Sequence, residues 1–125
     1  MAERFLIDTN ALIDVQMNNL PKSGLQFMAE IMDRDFTVSF VTYIEFLGYK
    51  EASELTEQFI SLANVIEIDK DIIEKCILLR RALSIKLPDA IIAATAISHN
   101  LTLITRNIHD FKDIDNLKLL NPWDR

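Results

Sequence analysis

In the short stretch Phe5-Leu6-Ile7-Asp8, three consecutive apolar residues are followed by an acidic one. Such a run predicts a strand that is buried on both faces. A helix is predicted over 11–16, and the same alternation continues outward along the chain. Further strands are predicted over 36–41, 65–68, 101–104 and 117–120, and further helices over 24–33, 42–49, 53–62, 71–83 and 88–99.

Strands that alternate with helices predict an α/β fold, in which a short, mostly parallel central sheet is covered by helices on both faces. The 125 residues fit a single domain, 1–125. In sheets of this kind, ligands bind at the carboxyl ends of the strands. The residues that directly follow the strands are therefore the first candidates for a functional site.

Composition restricts the function. The chain has 19 acidic and 13 basic residues and a net charge of −6, which argues against binding nucleic acid through the overall field of the protein. An acidic surface instead suits a basic protein partner, a bound cation, or RNA held at one local site. Only two glycines occur, which excludes a phosphate-binding P-loop and a dinucleotide fingerprint. Cys76 is the single cysteine, which excludes an intramolecular disulfide and a thiolate metal site.

The sequence also carries no sign of a membrane segment. No apolar run approaches the ~18 residues of a membrane span. The first five residues lack the basic region, the apolar stretch and the cleavage site of a signal peptide. We therefore expect no membrane association and a cytoplasmic location.

Three acidic residues occupy positions that are predicted to lie near one edge of the α/β sheet: Asp8, Glu45 and Asp89. Each of them also has a structural explanation. Asp8 can cap the following helix. Thr42 and Glu45 have the spacing of a capping box. Asp89 follows Pro88 in a predicted first helical turn, where the helix dipole favours an acid. Taken singly, each residue favours its structural explanation.

The conjunction of the three acids changes the interpretation, because parallel strands bring their carboxyl ends together. Two carboxylates ~5 Å apart repel by roughly 3 kcal/mol at an effective dielectric constant of about 20. Oxygen ligands without Cys or His suit a hard cation such as Mg²⁺ or Mn²⁺, which would relieve that repulsion. Such an ion polarises a phosphate and activates water for in-line attack. We therefore predict that Asp8, Glu45 and Asp89 converge in the folded chain and form a catalytic metal site.

Several segments resemble the PIN-domain family, and specifically its VapC-like toxins. They are LIDTNAL (6–12), VTYIE (41–45), LPDAIIAATA (87–96), LITRN (103–107), DF (110–111) and LLNPW (119–123). Together they span nearly the whole chain in the expected order. Two segments are specific to the family: the one that begins with Leu-Pro-Asp (87–96) and the one that ends with Thr-Arg-Asn (103–107). Asp-Thr-Asn alone would be weak evidence.

The resemblance implies a three-layer α/β/α sandwich and a Mg²⁺- or Mn²⁺-dependent endoribonuclease that cuts RNA and leaves a 5′-phosphate. It also implies a homodimer and inhibition by a cognate antitoxin. In the family, metal-binding acids correspond to Asp8, Glu45 and Asp89. A fourth acid commonly follows the Thr-Arg pair, whereas this chain has Asn107 at that position. Asp110, about one helical turn further on, is either its substitute or a solvated loop acid.

Residues next to the acids are candidates for supporting roles. Thr105 could support the site, by donating a hydrogen bond to a ligating carboxylate or by positioning a water. Alternatively, it has no such role and simply ends a strand. Asn10 either orients Asp8 or stabilises the turn. Arg106 is the better candidate for contacting an RNA phosphate.

A cluster of basic residues just before Asp89 could also contact RNA, although charged side chains on helix faces are more often simply solvated. Its members are Arg80, Arg81 and Lys86. An acidic cleft in an acidic protein further predicts that the antitoxin presents a basic segment to it, most simply an Arg paired with carboxylates.

Two other classes of function stay open. A receiver-like signalling module also has an acid after its first strand, but it needs a second acid beside Asp8 and a Lys after a later strand, where this chain has Arg106. A PIN fold that has lost catalysis and only binds a partner is the other alternative, and Asn107 is the feature in its favour. Metal-dependent RNA cleavage would distinguish that binding module from the predicted toxin ribonuclease.

Overall fold

The computed structural model describes residues 3–49 and 52–125. Five short strands alternate with seven helices in these residues. The strands are β1 (Phe5–Ile7), β2 (Thr37–Ser39), β3 (Asn64–Ile66), β4 (Thr102–Ile104) and β5 (Leu119–Leu120). The helices are α1 (Thr9–Gln16), α2 (Lys22–Asp35), α3 (Phe40–Leu47), α4 (Glu54–Ile60), α5 (Lys70–Ala82), α6 (Leu87–Ser98) and α7 (Ile108–Phe111), followed by a 3₁₀ turn at Pro122–Asp124.

The strand pairings in the described residues are all parallel, as the alternation of strands and helices predicts. β4 lies between β1 and β5, and Leu103 is in register with Leu6 on one side and Leu119 on the other. β2 pairs with β3, and β2 also lies beside β1. The backbone hydrogen bonds thus form two parallel ladders, β1-β4-β5 and β2-β3, rather than one continuous ladder. The carboxyl ends of β1 and β4 meet at one edge.

Apolar side chains of β1 alternate between two cores. Ile7 packs with Leu12, Met28 and Phe46 on one face of the sheet. Leu6, on the opposite face, packs with Ile92 of α6. Because side chains alternate across a strand, each face is covered by its own helices. The predicted three-layer α/β/α sandwich is confirmed.

Two local predictions are wrong, and both concern the start of α3. The strand predicted over 36–41 ends at Ser39, because the Ser39 hydroxyl accepts a hydrogen bond (3.1 Å) from the Thr42 amide and caps α3. Thr42 therefore lies inside the helix, and the predicted capping box of Thr42 and Glu45 does not form. Glu45 lies in the second turn of α3 instead.

Smaller differences occur elsewhere. β3 spans Asn64–Ile66 rather than 65–68, and α7 is a short helix that the sequence analysis did not predict. Asp110 belongs to this helix rather than to a loop. Within the described ranges, no helix combines the length and apolar character needed to cross a bilayer.

Candidate functional site

Asp8 is buried at the end of β1 and is held by three hydrogen bonds. Its Oδ1 accepts from the Thr9 amide at 2.8 Å. Its Oδ2 accepts from the Thr105 hydroxyl at 2.8 Å and from Asn10 Nδ2 at 3.0 Å. Asp8 thus caps α1, as its structural explanation requires, and also faces the residue that follows β4. These contacts fix the position of the carboxylate within the fold.

Glu45 reaches the same edge from α3 and is connected to Asp8 through Thr9. The Thr9 hydroxyl donates to Glu45 Oε1 at 2.6 Å and lies 3.2 Å from the Thr42 hydroxyl. The sequence analysis missed this role of Thr9. Its only signal was its position directly after Asp8, because the residue that it contacts lies 36 positions away along the chain.

Asp89 lies half-buried in the first turn of α6. Burial raises its pKa, and the neighbouring charges of Asp110 and Glu45 raise it further, whereas Lys86 acts in the opposite direction. Each of these charges is near enough to influence the Asp89 carboxylate. Asp110 therefore lies close to Asp89, although it comes from a different helix.

The pKa of Asp8 is raised to about 6. Burial is the largest cause, and the negative charges of Asp89 and Glu45 add to it. The hydrogen bonds from Thr105 and Thr9 act against this rise because they favour the ionised carboxylate. The charges of Asp89 and Glu45 thus act on the Asp8 carboxylate, and the predicted convergence of the three acids on one metal site stays a prediction.

The donor chemistry of this site fits a hard divalent cation, because it offers carboxylate oxygens whose mutual repulsion a cation would relieve. The side chains are not drawn together around a common point, however. In residues 3–49 and 52–125, no group of three His, Cys, Asp or Glu side chains has an arrangement that could already hold a metal ion. Glu45 is instead directed to the Thr9 hydroxyl.

Arg106 is bound to a buried acid that the sequence analysis did not single out. Arg106 Nη1 contacts both oxygens of Asp14, at 3.0 and 3.2 Å, and Asp14 is only 2% exposed. Trp123 Nε1 donates to the same carboxylate at 2.9 Å. Asp14 lies in the apolar pattern of α1. Asn19, five positions on, donates to it at 3.4 Å, but Arg106 and Trp123 are 92 and 109 residues away, so their contacts with Asp14 have no local signal.

The backbone of this segment also supports the acids. The Arg106 amide donates to Asn10 Oδ1 at 2.9 Å, and Asn10 in turn donates to Asp8. A continuous series of hydrogen bonds therefore runs from Trp123 through Asp14 and Arg106 to the candidate site. Because Asp14 engages part of the guanidinium group, the suggested contact of Arg106 with an RNA phosphate stays a prediction.

Asn107 touches the site through its backbone. Its amide donates to the Thr105 hydroxyl at 3.0 Å, and Asn107 precedes α7 with an exposed side chain and without capping that helix. The Thr105 hydroxyl thus links Asn107 to Asp8. Whether Asn107 or Asp110 takes the place of the fourth acid stays a prediction.

The raised pKa of Asp8 leads to a test of stability against pH in metal-free protein. The folded pKa, about 6, lies above the ordinary value of 3.8, so the folded state binds this proton more tightly than the unfolded state. The Asp8 contribution to the free energy of unfolding should therefore fall as pH rises from about 4 to above 6, by at most about 3 kcal/mol. Urea unfolding in EDTA should show this fall in wild type and lack it in Asp8→Asn. If the free energy of unfolding depended on pH equally in the two proteins, the raised pKa of Asp8 would be wrong.

Comparison with known families settles the classification of the fold. The sequence model of the PIN domain matches residues 5–117. The chain belongs to the PIN domain family. The match covers the segments that carry Asp8, Glu45 and Asp89, and it confirms the resemblance found in the sequence. No curated protein sequence matches the chain significantly.

Solved structures agree with this classification. A chain of a toxin–antitoxin complex from Klebsiella pneumoniae is 36% identical to this PIN domain, with a TM-score of 0.77 over 94% of this chain and 97% of the other. A chain of DNA-bound VapBC from Salmonella typhimurium is 22% identical, with a TM-score of 0.80 over 97% and 99%. A chain of VapBC2 from Rickettsia felis bound to promoter DNA is 24% identical, with a TM-score of 0.76 over 94% and 97%. The last two show the fold alone. The predicted VapC-like toxin ribonuclease is supported by the family match together with the Klebsiella pneumoniae structure.

Proposed function

We propose that this PIN domain, taken as one domain over 1–125, is the toxin of a VapBC-like toxin–antitoxin pair and cuts RNA with a Mg²⁺ or Mn²⁺ ion held by Asp8, Glu45 and Asp89. The observation that supports this most is the coupling of these acids, since burial and like charge together raise the pKa of Asp8 to about 6. A fold that keeps such an arrangement without a cation bears an electrostatic cost. A bound cation would offset it.

In the proposed hydrolysis, the ion and the three acids have different roles. A bound Mg²⁺ or Mn²⁺ would supply the positive charge that polarises the phosphodiester and acidifies the attacking water. Asp8 provides a carboxylate held in place by Thr9, Asn10 and Thr105. Glu45 and Asp89 approach from α3 and α6, where either carboxylate can orient the water. No side-chain nucleophile is required.

Asn107 limits the number of ions in the free enzyme. Asp8, Glu45 and Asp89 supply a formal charge of −3, which suffices for one divalent ion and barely for two. Asn107 adds no charge, so a second ion would arrive with the RNA phosphate, whose charge completes the site. Asp110 is the alternative source of that charge, because its charge acts on Asp89.

The same edge of the molecule suits an antitoxin. The similar structures include toxin–antitoxin complexes. Beside Glu45 on α3, Tyr43 and Ile44 are exposed and line a cavity of about 490 Å³. An exposed apolar surface next to an acidic cleft suits an antitoxin segment that packs on α3 and presents an Arg to the carboxylates.

For the homodimer we propose a different surface. Three large apolar side chains of α5 are exposed, namely Ile73, Ile77 and Leu78. Contiguous exposed apolar surface of this kind marks an interaction site. It lies on a different helix from the apolar residues beside Glu45, so a second copy and an antitoxin could bind at the same time.

The products of cleavage test the proposed chemistry. When water attacks the phosphorus, the 3′ oxygen leaves, so the expected ends are a 5′-phosphate and a 3′-hydroxyl. An RNA with a 2′-deoxy sugar at the cleaved bond should still be cut, because the 2′-hydroxyl takes no part. Mass spectrometry of the fragments distinguishes the routes, and a 2′,3′-cyclic phosphate would contradict attack by water.

A further inference from the structure

A cavity of about 380 Å³ opens directly beside the candidate site. It lies between α7 and the loop that joins α5 to α6, and Asp89 and Asp110 form part of its wall. Its volume falls within the range of about 300–1,000 Å³ that is typical of ligand sites. The proposed mechanism uses the two acids but not the rest of this cavity.

The remaining walls differ from the acidic part. Ile85 and Ile114 contribute apolar surface, whereas Ser84, Lys86 and His109 contribute groups that can donate hydrogen bonds. An apolar wall suits the face of a nucleobase, and a lysine suits a phosphate oxygen. Single-stranded RNA offers both groups, because its unstacked bases are free to enter a pocket. Asp113, the other acid of the wall, leaves the cavity unsuited to a free anion.

A second cavity, of about 440 Å³, continues this one across the loop. Leu83, Ser84, Ile85 and Lys86 line both cavities, and Arg80 lines the second. Arg80 Nη1 donates to the Ile85 carbonyl at 2.6 Å and so ties the loop to α5. Two cations, Lys86 and Arg80, therefore stand along a path that leads away from Asp89.

We propose that the nucleotide adjoining the scissile phosphate binds in the cavity beside Asp89, with its base against Ile85 and Ile114 and its phosphate at Lys86. The strand then continues over the loop toward Arg80. This inference rests on the proposed ribonuclease function and adds the side from which single-stranded RNA enters. Lys86 and Arg80 supply positive charge along this path in a protein with a net charge of −6, and the acids Asp89, Asp110 and Asp113 line the first cavity beside Lys86.

Lys86→Gln tests the proposal, with Lys22→Gln as the matched control at the exposed start of α2. In Mn²⁺ and about 0.1 M salt, Lys86→Gln should raise KM for a single-stranded RNA about 10-fold and leave kcat within about 3-fold, whatever the RNA sequence. Lys86→Arg should restore most of the affinity. Lys22→Gln should match wild type.

Salt dependence supplies a readout that a general structural defect would not change. One lost phosphate contact should reduce the slope of log affinity against log salt by about 0.7 for a single strand. Anisotropy of labelled RNA on the Asp8→Asn background measures this slope without cleavage. An abasic nucleotide next to the cleaved bond should weaken binding to wild type, and should weaken binding to Ile85→Ala much less.

The outcomes separate the inference from the proposed function. If wild type cleaves RNA while Lys86→Gln keeps its KM and its salt slope, the nucleotide site is wrong and the ribonuclease stands. If wild type binds RNA through Lys86 but never cleaves it, the binding site stands and the hydrolysis is wrong. If RNA neither binds nor is cleaved, both are wrong.

Discussion

Asp8→Asn is expected to lower the rate of RNA cleavage by at least about 1,000-fold in saturating Mn²⁺. The substitution keeps the size of the side chain but removes the charge of the most firmly held carboxylate of the site, which is only 5% exposed. A loss of about 4 kcal/mol of transition-state stabilisation corresponds to this factor, and metal chemistry supplies several kcal/mol. Single-turnover cleavage of a labelled RNA measures it.

Two further variants serve as controls for that experiment. Asp33→Asn removes an exposed acid of α2 and should stay within about twofold of wild type. Asn107→Ala should slow cleavage only by about 10-fold, the effect of a residue that supports a ligand without binding the metal. If Asp8→Asn remained as active as Asp33→Asn, the proposed site would be wrong. If Asn107→Ala were as inactive as Asp8→Asn, Asn107 would itself be a ligand.

Asp89→Asn is expected to abolish most of the stabilisation of the protein by Mn²⁺. In wild type, Mn²⁺ at 100 times its Kd should add about 2.7 kcal/mol to the free energy of unfolding, because it binds the folded state. For a chain of this length that corresponds to a rise in Tm of roughly 10 °C. Asp89→Asn should bind Mn²⁺ more weakly, so its Tm should increase by only a small fraction of this rise.

The same variant should be more stable than wild type when no metal is present. Burial raises the pKa of Asp89, and the charges of Asp110 and Glu45 raise it further, so the charge of Asp89 opposes folding at neutral pH. Removing that charge should raise the Tm by a few degrees, about 1 kcal/mol, even though the favourable interaction with the dipole of α6 is lost. Thermal melts of both proteins in EDTA and in Mn²⁺ test both statements. Equal responses to Mn²⁺ would contradict a metal site at Asp89.

The elements that position the acids could be predicted because their signals are local. The run that ends in Asp8 forms β1, and Pro88 and Asp89 open α6 as their preferences for a first helical turn indicate. The start of α3 could not be located in the same way. Ser39 and Thr42 are both good capping residues, and the structure shows that Ser39 is the one that caps α3.

The hydrogen bonds that hold the site in place could not be predicted, because they join residues far apart in the chain. Thr9 contacts Glu45 across 36 positions, and Trp123 contacts Asp14 across 109. No periodicity or spacing connects such pairs. The sequence therefore identifies the acids, of which only Asp8 directly follows a strand, whereas the hydroxyl and indole groups that contact acids near the site emerge only from the tertiary structure.

The acidity of the chain has a different meaning once the fold is known. From composition alone, a net charge of −6 argues against an RNA-binding protein. In the structure, the charges of Asp89 and Glu45 act on Asp8, while Lys86 and Arg80 line the neighbouring cavities. The proposed binding of RNA therefore depends on where the charges lie in the structure and not on their total.

The most direct test of the central claim is the cleavage of single-stranded RNA by purified wild-type protein that has been stripped of metal with EDTA and then supplied with Mn²⁺ or Mg²⁺. Asp8→Asn, purified in the same way, controls for contaminating nuclease. We expect no cleavage in EDTA, full recovery when the ion is returned, and no recovery in Asp8→Asn. Cleavage that persists in EDTA, or wild type that stays inactive with either ion, would contradict a metal-dependent ribonuclease.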